Sequence, residues 1–345
     1  MKSGQTTIKD IAKALNISPS TVSRALKDHP DISAETKKSV LELAHKLDYQ
    51  PNSIALSLRQ SKTHTVGLII PKIVNHFFST VISGIEQVVH DEGYNIIMAQ
   101  SQESYQREVE SVQTMILSRV DGLFVSISRE TYDYEHFREI EKRGIPLIFF
   151  DRICPDIDTD QVVIEDFEGS LQAVEHLIQI GCRNIVHLAG PQSLLISQER
   201  RRGYIEAHRQ YGLAIQPELI ILSDSHQLGF ETVTRLISQG KKIDGIFAVN
   251  DDTAIGAMMA IKQTGLRIPL DIAVIGFENA PVAEVVEPSL STIEQPGFEM
   301  GQIAAQLFLK QMDEDILHQP VQSKLKTRLI IRESSCREAE KFIGD

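Results

Sequence analysis

The chain has 345 residues, of which 42% are hydrophobic and 24% are charged, and its formal net charge is −12. This length suggests two or three domains, because one domain typically has about 150 residues. No apolar run approaches the roughly 20 residues that a membrane-spanning helix requires, which excludes an integral membrane protein. The polar N-terminus has no apolar signal region, and the three cysteines form no close pair. We therefore expect a cytoplasmic protein with neither a disulfide framework nor a cysteine zinc site.

The charge is divided unevenly along the chain. Residues 1–62 contain ten Lys/Arg and six Asp/Glu, a surplus of four positive charges, whereas the remainder is acidic. A small basic segment on a large acidic body is typical of a module that binds a polyanion. The surplus is small and is equally compatible with an ordinary solvated surface.

The first fifty residues carry the signals of three helices. Thr7 with an acidic residue three positions later predicts one helix start, and Ser18 followed by Pro19 predicts a second. A third helix is expected from Ser33. Asn16 lies in the turn between the first two helices, where it tolerates a left-handed backbone. Two short helices joined by a tight turn and braced by a third form a helix-turn-helix head.

The second helix of this head exposes small hydroxyl groups and one arginine. Ser20, Thr21, Ser23 and Arg24 suit contacts with phosphates and with base edges in a major groove. The helix N-terminus also favours phosphate. The head is therefore predicted to bind double-stranded DNA, and a three-helix protein-interaction module is the alternative.

Beyond residue 64, short apolar runs alternate with helical patterns. Strands of four to six residues separated by longer helices predict parallel sheets with helices on both faces. About ten such strands exceed one sheet, so we expect an α/β body of two doubly wound subdomains, with a ligand cleft at the strands' carboxyl ends. The runs that we assign to strands are Val66–Ile70, Asn95–Ala99, Gly122–Val125, Leu147–Phe150, Val162–Ile164, Ile185–Leu188, Leu219–Leu222, Gly245–Val249, Ala273–Gly276, Ser291–Glu294 and a closing run, Leu325–Ile331.

The body lacks the short motifs of common enzymes and of metal sites. Its sequence contains no GxGxxG, no GxxxxGK[ST], no GxSxG, no HExxH and no closely spaced Cys/His cluster. We therefore expect a binding protein without a metal or cofactor, and not an enzyme.

The head resembles the DNA-binding domain of the lactose/galactose-repressor family. The resemblance is carried by TIKDIAKALNISPSTVSRAL from Thr7 and by the following ISAETKKSVLELAHKLDYQPNSIALSLR. It implies that a hinge helix after Pro51 orders on operator DNA and that Leu58 wedges into the minor groove; a plain linker is the alternative. The DNA-binding residues implied by the head pattern and the resemblance are Thr7, Ser18, Pro19, Ser20, Thr21, Ser23, Arg24, Asn52, Ala55 and Leu58.

The body is similar to the effector-binding domain of the same repressors, which resembles periplasmic sugar-binding proteins. Stretches such as VGLIIPKIVNHFFSTVISGIE and GIFAVNDDTAIGAMMAIKQTGLRIPLDIAVIGFENA carry this similarity. It implies two lobes joined by three crossovers near 161–164, 291–295 and 320–325. The expected divisions are a head at 1–50, a hinge at 51–62, a body at 63–333 and a tail at 334–345. Within the body we expect an N-subdomain at 63–162 and 293–321 and a C-subdomain at 163–291 and 322–333.

The family resemblance also assigns effector contacts to individual residues. They are Phe77, Phe78, Asp151, Arg200, Asn250 and Glu278. The two phenylalanines would support a ring, although either could be helix core, and Glu278 stands where the family usually has Asp. Arg200 and Glu278 are expected in loops, with a surface ion pair inside the ERRR run as the alternative for Arg200. The chain has no tryptophan, so one stacking wall is expected to be missing.

These patterns together predict a sequence-specific transcription regulator, a repressor, whose operator affinity is controlled by a small effector. Paired Asp, Glu, Asn and Arg groups suit the hydroxyls of a saccharide better than a purine or a sugar phosphate. The short charged tail has no heptads, so a homodimer is expected. The main alternative is a solute-binding component of a transport or sensing system. Whether the effector releases or promotes operator binding does not follow from the sequence.

Overall fold

The computed structural model describes residues 6–49, 62–313 and 319–337. Its contacts divide the chain into two units, residues 1–63 and 64–345. The predicted hinge residues Asn52, Ala55 and Leu58 lie outside the described ranges. Among the residues that the structure describes, no helix is both long enough and apolar enough to cross a membrane.

The first unit contains the three predicted helices, α1 (Ile8–Ala14), α2 (Pro19–Leu26) and α3 (Ala34–Lys46). Their starts follow from local capping, because the backbone N–H of Thr7 donates to the Asp10 carboxylate at 2.8 Å and Ser18 Oγ accepts from Thr21 N at 3.1 Å. Asn16 has a φ of 51°, the left-handed conformation expected for the turn. Small apolar side chains fill the core between the helices; they are Ile11, Ala12, Val22, Ala25, Val40 and Ala44.

The second unit is an α/β body with two six-stranded sheets. Its strands are β1 (Thr65–Ile70), β2 (Asn95–Gln100), β3 (Gly122–Val125), β4 (Leu147–Phe150), β5 (Asp160–Ile164), β6 (Ile185–Ala189), β7 (Ile220–Leu222), β8 (Gly245–Ala248), β9 (Ala273–Glu278), β10 (Ser291–Glu294), β11 (Gln322–Leu325) and β12 (Arg328–Ile330). Its α-helices are α4 (His76–Asp91), α5 (Tyr105–Leu117), α6 (Glu135–Lys142), α7 (Asp166–Gln179), α8 (Leu195–Gln210), α9 (His226–Ser238), α10 (Asp251–Gln263), α11 (Val282–Val285) and α12 (Gly297–Gln311). The first ten predicted strands are therefore confirmed to within two residues at each end.

Each sheet is the base of one lobe. The strand order is β11-β5-β4-β3-β1-β2 in the first sheet and β12-β10-β9-β8-β6-β7 in the second. All pairs are parallel except β10 with β12, which is antiparallel. Central strands such as β1 and β8 are almost wholly buried, as expected where helices cover both faces of a parallel sheet.

The chain passes between the two sheets three times, after β5, after β10 and after β11. The predicted closing strand Leu325–Ile331 is confirmed only in part: β12 covers Arg328–Ile330 and pairs with β10, whereas Leu325 ends a separate strand, β11, which pairs with β5. Residues 322–325 therefore belong to the first sheet and not to the expected C-subdomain. β5 likewise extends the first sheet to Ile164, and β10 keeps residues 291–294 in the second sheet. An apolar run shows that a strand exists, but it carries no signal for which sheet the strand joins.

Helices α4 and α12 approach each other closely at two glycines. A Cβ atom added to Gly84 would lie 2.1 Å from the Phe298 carbonyl oxygen, and one added to Gly301 would lie 2.1 Å from the Val81 carbonyl oxygen. Backbone atoms cannot move aside as a flexible side chain could. These glycines therefore fix the spacing between the first helix of the first lobe and the helix that returns from the second.

We predict that Gly301→Ala lowers the free energy of unfolding by about 1–3 kcal/mol, because the added methyl group separates two packed helices. Thermal or urea unfolding of the full chain measures the loss. Gln306→Ala, at an exposed position of the same helix, is the matched control and should be nearly neutral. Equal stability of the two variants would contradict the close approach.

Candidate DNA-binding face and effector cleft

The predicted DNA-binding residues of the head cluster around the N-terminus of α2. Ser18 Oγ lies 2.7 Å from Ser20 Oγ and 2.8 Å from Thr21 Oγ1, so three hydroxyl groups cluster at the first turn of the helix. Arg24 is exposed one turn after Ser20. Its side chain makes no hydrogen bond or ion pair with any described residue. Helix N-terminus, hydroxyls and arginine together form a face that can donate to phosphates and base edges.

The other predicted residues of this face differ in how available they are. Pro19 is exposed at the first helical position, while Ser23 is only half-exposed. Thr7 already uses its hydroxyl, which donates to Asp10 at 2.6 Å within the cap of α1. Thr7 therefore holds α1 in place as well as facing solvent.

The predicted effector residues lie at the carboxyl ends of strands in both lobes. The first lobe contributes Phe77 and Phe78 at the start of α4 and Asp151 immediately after β4. The second lobe contributes Arg200, together with Asn250 after β8 and Glu278 at the end of β9. One contact joins the lobes directly, because the backbone N–H of Phe77 donates to Glu278 Oε1 at 3.0 Å.

Arg200 does not lie in a loop, as the sequence had suggested, but in the middle of α8, where it is only 4% exposed. Its Nε donates to Asp166 Oδ1 at 2.7 Å, and its Nη1 donates to the Val249 carbonyl at 2.7 Å. The guanidinium carbon also sits 3.7 Å from the centre of the Phe277 ring. The alternative of a surface ion pair within the ERRR run is therefore wrong, since the partner of Arg200 is a buried aspartate.

The two phenylalanines have different surroundings. Phe77 borders a pocket, whereas Phe78 packs edge-on against Phe150 in the core of the first lobe, with the ring centres 6.4 Å apart. Asn250 caps α10 by accepting from Thr253 N at 2.8 Å, and its Nδ2 donates to the Asp224 carbonyl at 3.4 Å. Of the six predicted residues, Phe78 therefore contributes to the core of the first lobe, and Asn250 caps a helix of the second.

A pocket of about 490 Å³ opens between the lobes beside the crossovers. Its lining includes Phe77 and Glu278 of the predicted set but not Asp151, Arg200 or Asn250. Other side chains that line it are His76, Glu294, Gln295, Phe298 and Glu299. No lysine or arginine is among the described residues that line it. Glu278 lines this pocket, and the charge of the more deeply buried Arg200 acts to lower its pKa.

Sequence reasoning missed three polar residues of this cleft. Asp166 follows the crossover from β5, Asp251 follows Asn250, and Gln295 follows β10. Asp251 is 1% exposed and accepts from the backbone N–H of Ala280 at 2.9 Å. Gln295 Oε1 is buried without a hydrogen-bond partner among the described residues. The signal that could have found them is their position within three residues of the end of a strand, similar to that of Asp151.

Burial dominates the electrostatics of the cleft. It raises the pKa of Asp166 to about 6, partly offset by the Arg200 guanidinium, and that of Asp251 to about 6. Burial, together with the negative charge of Asp251, raises the pKa of Glu278 to about 7. The pKa of Asp151 is raised by burial as well, against the pull of Arg152 and Arg200. The cleft therefore holds several carboxylates that lack full compensation and can accept hydrogen bonds from a ligand.

The described residues contain no group of three His, Cys, Asp or Glu side chains placed to hold a metal ion. The groups that face the cleft are hydrogen-bond acceptors, one arginine and aromatic rings. Such a set can bind and orient a polar ligand.

Similarities to known proteins agree with both halves of the chain. Residues 7–52 match the family model of bacterial regulatory proteins of the lacI family, and residues 174–335 match that of the periplasmic binding protein-like domain. The ribose operon repressor of Halalkalibacterium halodurans is 32% identical over 96% of this chain and 97% of its own length. The probable HTH-type transcriptional repressor ExuR of Bacillus subtilis is 37% identical over 89% of this chain and 92% of its own.

The solved complex of the transcriptional regulator CelR with cellobiose has the same fold. It is 26% identical, covers 96% of this chain and 100% of its own, and superposes with a TM-score of 0.73. The helix-turn-helix head, the two-lobed body and these relatives lead to one conclusion: the chain belongs to the lacI family of bacterial DNA-binding transcription regulators.

Proposed function

We propose that this regulator is a cytoplasmic, homodimeric repressor whose affinity for a pseudo-palindromic operator is controlled by a saccharide bound between the two lobes. The observation that carries the proposal is the meeting of polar groups from both lobes, because the backbone N–H of Phe77 donates to Glu278 Oε1 at 3.0 Å beside a pocket that both residues line. Because an effector can act only through different affinities for two arrangements of the protein, contacts from both lobes are what such control requires. Relatives that are named repressors support the assignment of repression.

In the head, we assign operator contacts to the α2 face. Ser18, Ser20 and Thr21 would contact phosphates near the helix N-terminus, and Arg24 would reach base edges. Pro19, Ser23 and Thr7 complete the head residues of the proposed interface. The hinge contacts of Asn52, Ala55 and Leu58 rest on the sequence pattern alone.

In the cleft, a saccharide fits the chemistry better than a sugar phosphate or a purine. The carboxylates of Asp151 and Glu278 can accept hydrogen bonds from ligand hydroxyls, and Arg200 can donate to a ring or hydroxyl oxygen. Phe77 and Phe298 offer apolar surfaces to a sugar ring at the pocket. A phosphate would enter a pocket bordered by three glutamates and, among its described lining residues, by no lysine or arginine. The names of the ribose operon repressor and of the CelR–cellobiose complex support the same ligand class.

Homodimer formation is supported by apolar side chains on the outermost strands. Ile97 and Met98 on β2 are 39% and 40% exposed, and Leu222 on β7 is 62% exposed. β2 ends the first sheet and β7 ends the second. Edge strands with exposed apolar side chains are suited to cover each other in a second copy of the chain.

We predict that Arg24→Ala weakens binding to the specific operator by about 1–3 kcal/mol if Arg24 reads a base. Fluorescence anisotropy titrations on the operator and on a random duplex measure the difference. Lys38→Ala, which removes another exposed charge of the head, is the matched control and should affect both duplexes alike. An equal loss on both duplexes for Arg24→Ala would reassign Arg24 to a phosphate contact.

We predict that Arg200→Lys weakens effector binding tenfold or more while operator binding is retained, because a lysine cannot reproduce the guanidinium fork. Lysine is chosen because Arg200→Ala would leave Asp166 buried and unpaired, which threatens the fold itself. The ligand for calorimetry is the saccharide that most raises the unfolding temperature in a screen starting with ribose and cellobiose.

Arg202→Lys, on the exposed side of the same helix, is the control. Wild-type affinity in Arg200→Lys would remove Arg200 from the effector site. A screen in which no saccharide stabilises the protein would contradict the proposed ligand class. Failure of the wild-type protein to bind an operator would contradict its role as a DNA-binding regulator.

We predict that Glu278→Gln stabilises the ligand-free protein, and more so at pH 8 than at pH 5. The pKa of Glu278 is about 7 in the folded protein and lies near 4.5 in the unfolded chain, so the folded state loses stability as the pH rises through this interval. Glutamine removes that loss, which we expect to be worth about 1–3 kcal/mol above pH 7. Urea unfolding at both pH values measures it.

The comparison with wild type isolates Glu278 from other groups that titrate. Burial lowers the pKa of His187 to about 4, but this histidine is common to both proteins and its contribution cancels. An advantage of Glu278→Gln that is the same at pH 5 and pH 8 would contradict the buried ionised glutamate. Effector affinity should fall in the same variant, since glutamine offers one acceptor oxygen fewer.

A further inference from the structure

The two lobes meet at a second place besides the contact between Phe77 and Glu278. Residues 126–131, which follow β3 in the first lobe, face the segments that follow β6 and β7 in the second. In the second sheet, β7 stands three strand positions away from β9, which carries Glu278. The lobes are therefore held together at two separate points along the cleft.

Three kinds of contact form this second junction. Arg129 Nη1 lies 3.1 Å from Asp224 Oδ2, an ion pair between the lobes. Ser193 Oγ donates to the Arg129 carbonyl oxygen at 3.1 Å. Leu194, which follows β6 of the second lobe, is only 4% exposed. It packs in the apolar cluster of the first lobe that also contains Ile127. An ion pair, a hydrogen bond and an apolar contact thus all involve the short segment 127–129 of the first lobe.

The segment that carries Arg129 is itself held firmly on the first lobe. Glu108, which is fully buried, accepts from the backbone N–H of Ser128 at 2.6 Å and from Thr131 Oγ1 at 2.7 Å. Glu103 accepts from the backbone N–H of Arg129 at 3.0 Å. Because the backbone around Arg129 is fixed to the first lobe, a contact made by the Arg129 side chain restrains the second lobe relative to the first.

Both ends of the junction connect to proposed effector residues. Arg152, the neighbour of Asp151, donates to both oxygens of Glu103 at 2.8 and 3.0 Å, and Glu103 also receives the Arg129 N–H. On the other lobe, Asn250 donates to the Asp224 carbonyl. A change in the junction therefore reaches one effector residue in each lobe through two or three consecutive contacts.

We propose that Arg129, Asp224 and Ser193 form a latch that holds the two lobes closed and thereby sets the affinity of the cleft for its effector. The three residues are positioning residues and need not touch the ligand. The ion pair is partly exposed, with side-chain exposures of 43% and 19%, so it stabilises the closed arrangement modestly and can be released. The inference rests on the effector cleft of the proposed function, but closure can be measured without any effector.

The experiment is hydrogen exchange of the full ligand-free chain, followed by mass spectrometry, in wild type, Arg129→Ala and Asp224→Asn. The decisive readout is the peptide that contains the Phe77 amide, whose hydrogen bond to Glu278 exists only while the lobes are closed. We expect this peptide to exchange about two- to fivefold faster in both variants, because the latch and the Phe77 contact open together. Arg129→Lys, which keeps the charge, should restore most of the protection.

Two controls make the outcome decisive. Arg202→Ala breaks an exposed ion pair with Glu199 inside α8 and should leave the Phe77 peptide unchanged. High salt should accelerate exchange of that peptide in wild type but not further in Arg129→Ala, because salt screens an exposed ion pair. Faster exchange confined to residues 126–131 and 222–226 would overturn the latch and leave a merely local contact. Retained circular dichroism and operator binding show that neither the fold nor the proposed function has failed in the variants.

Discussion

The ion pair between Arg200 and Asp166 is the interaction on which the proposed effector cleft depends. It ties α8 to the start of α7, where the chain has just crossed from the first sheet, and it anchors the guanidinium against β8 and the Phe277 ring. Two buried charges are costly apart and tolerable together, so neither residue can be replaced alone without consequence. Among the described residues Glu278 has no ion-pair partner, while the Arg152 Nε of the first lobe lies 3.9 Å from Asp151 Oδ2.

Features that depend on residues close together in the sequence could be predicted. Features that depend on contacts between residues far apart in the sequence were missed. The caps at Thr7 and Ser18 and the left-handed Asn16 follow from residues within a few positions, and all three are confirmed. The position of Arg200 could not be predicted in the same way, because Asp166 lies 34 residues earlier in the chain. The division of the last apolar run between two sheets had the same cause, since strand pairing depends on contacts far apart in sequence.

The cleft illustrates why a sensor can be less stable than its architecture would allow. Carboxylates with raised pKa values occupy positions where apolar or amide side chains would make the folded state more stable. A ligand that donates hydrogen bonds relieves part of that cost, so its binding energy favours one arrangement of the lobes. The ligand-bound protein is therefore more stable to unfolding than the ligand-free protein.

The interleaved sheets also constrain how the protein can be made. Each sheet has at one edge a strand from the last described part of the chain, β11 in the first and β12 in the second. Neither lobe therefore has its full set of strands until the ribosome has released the segment with β11 and β12, which is made after every other strand of the two sheets. The small head falls within residues 1–63, which precede both lobes in the chain. Nascent chains thus pass through a period in which a DNA-binding head already exists while its sensor is still incomplete.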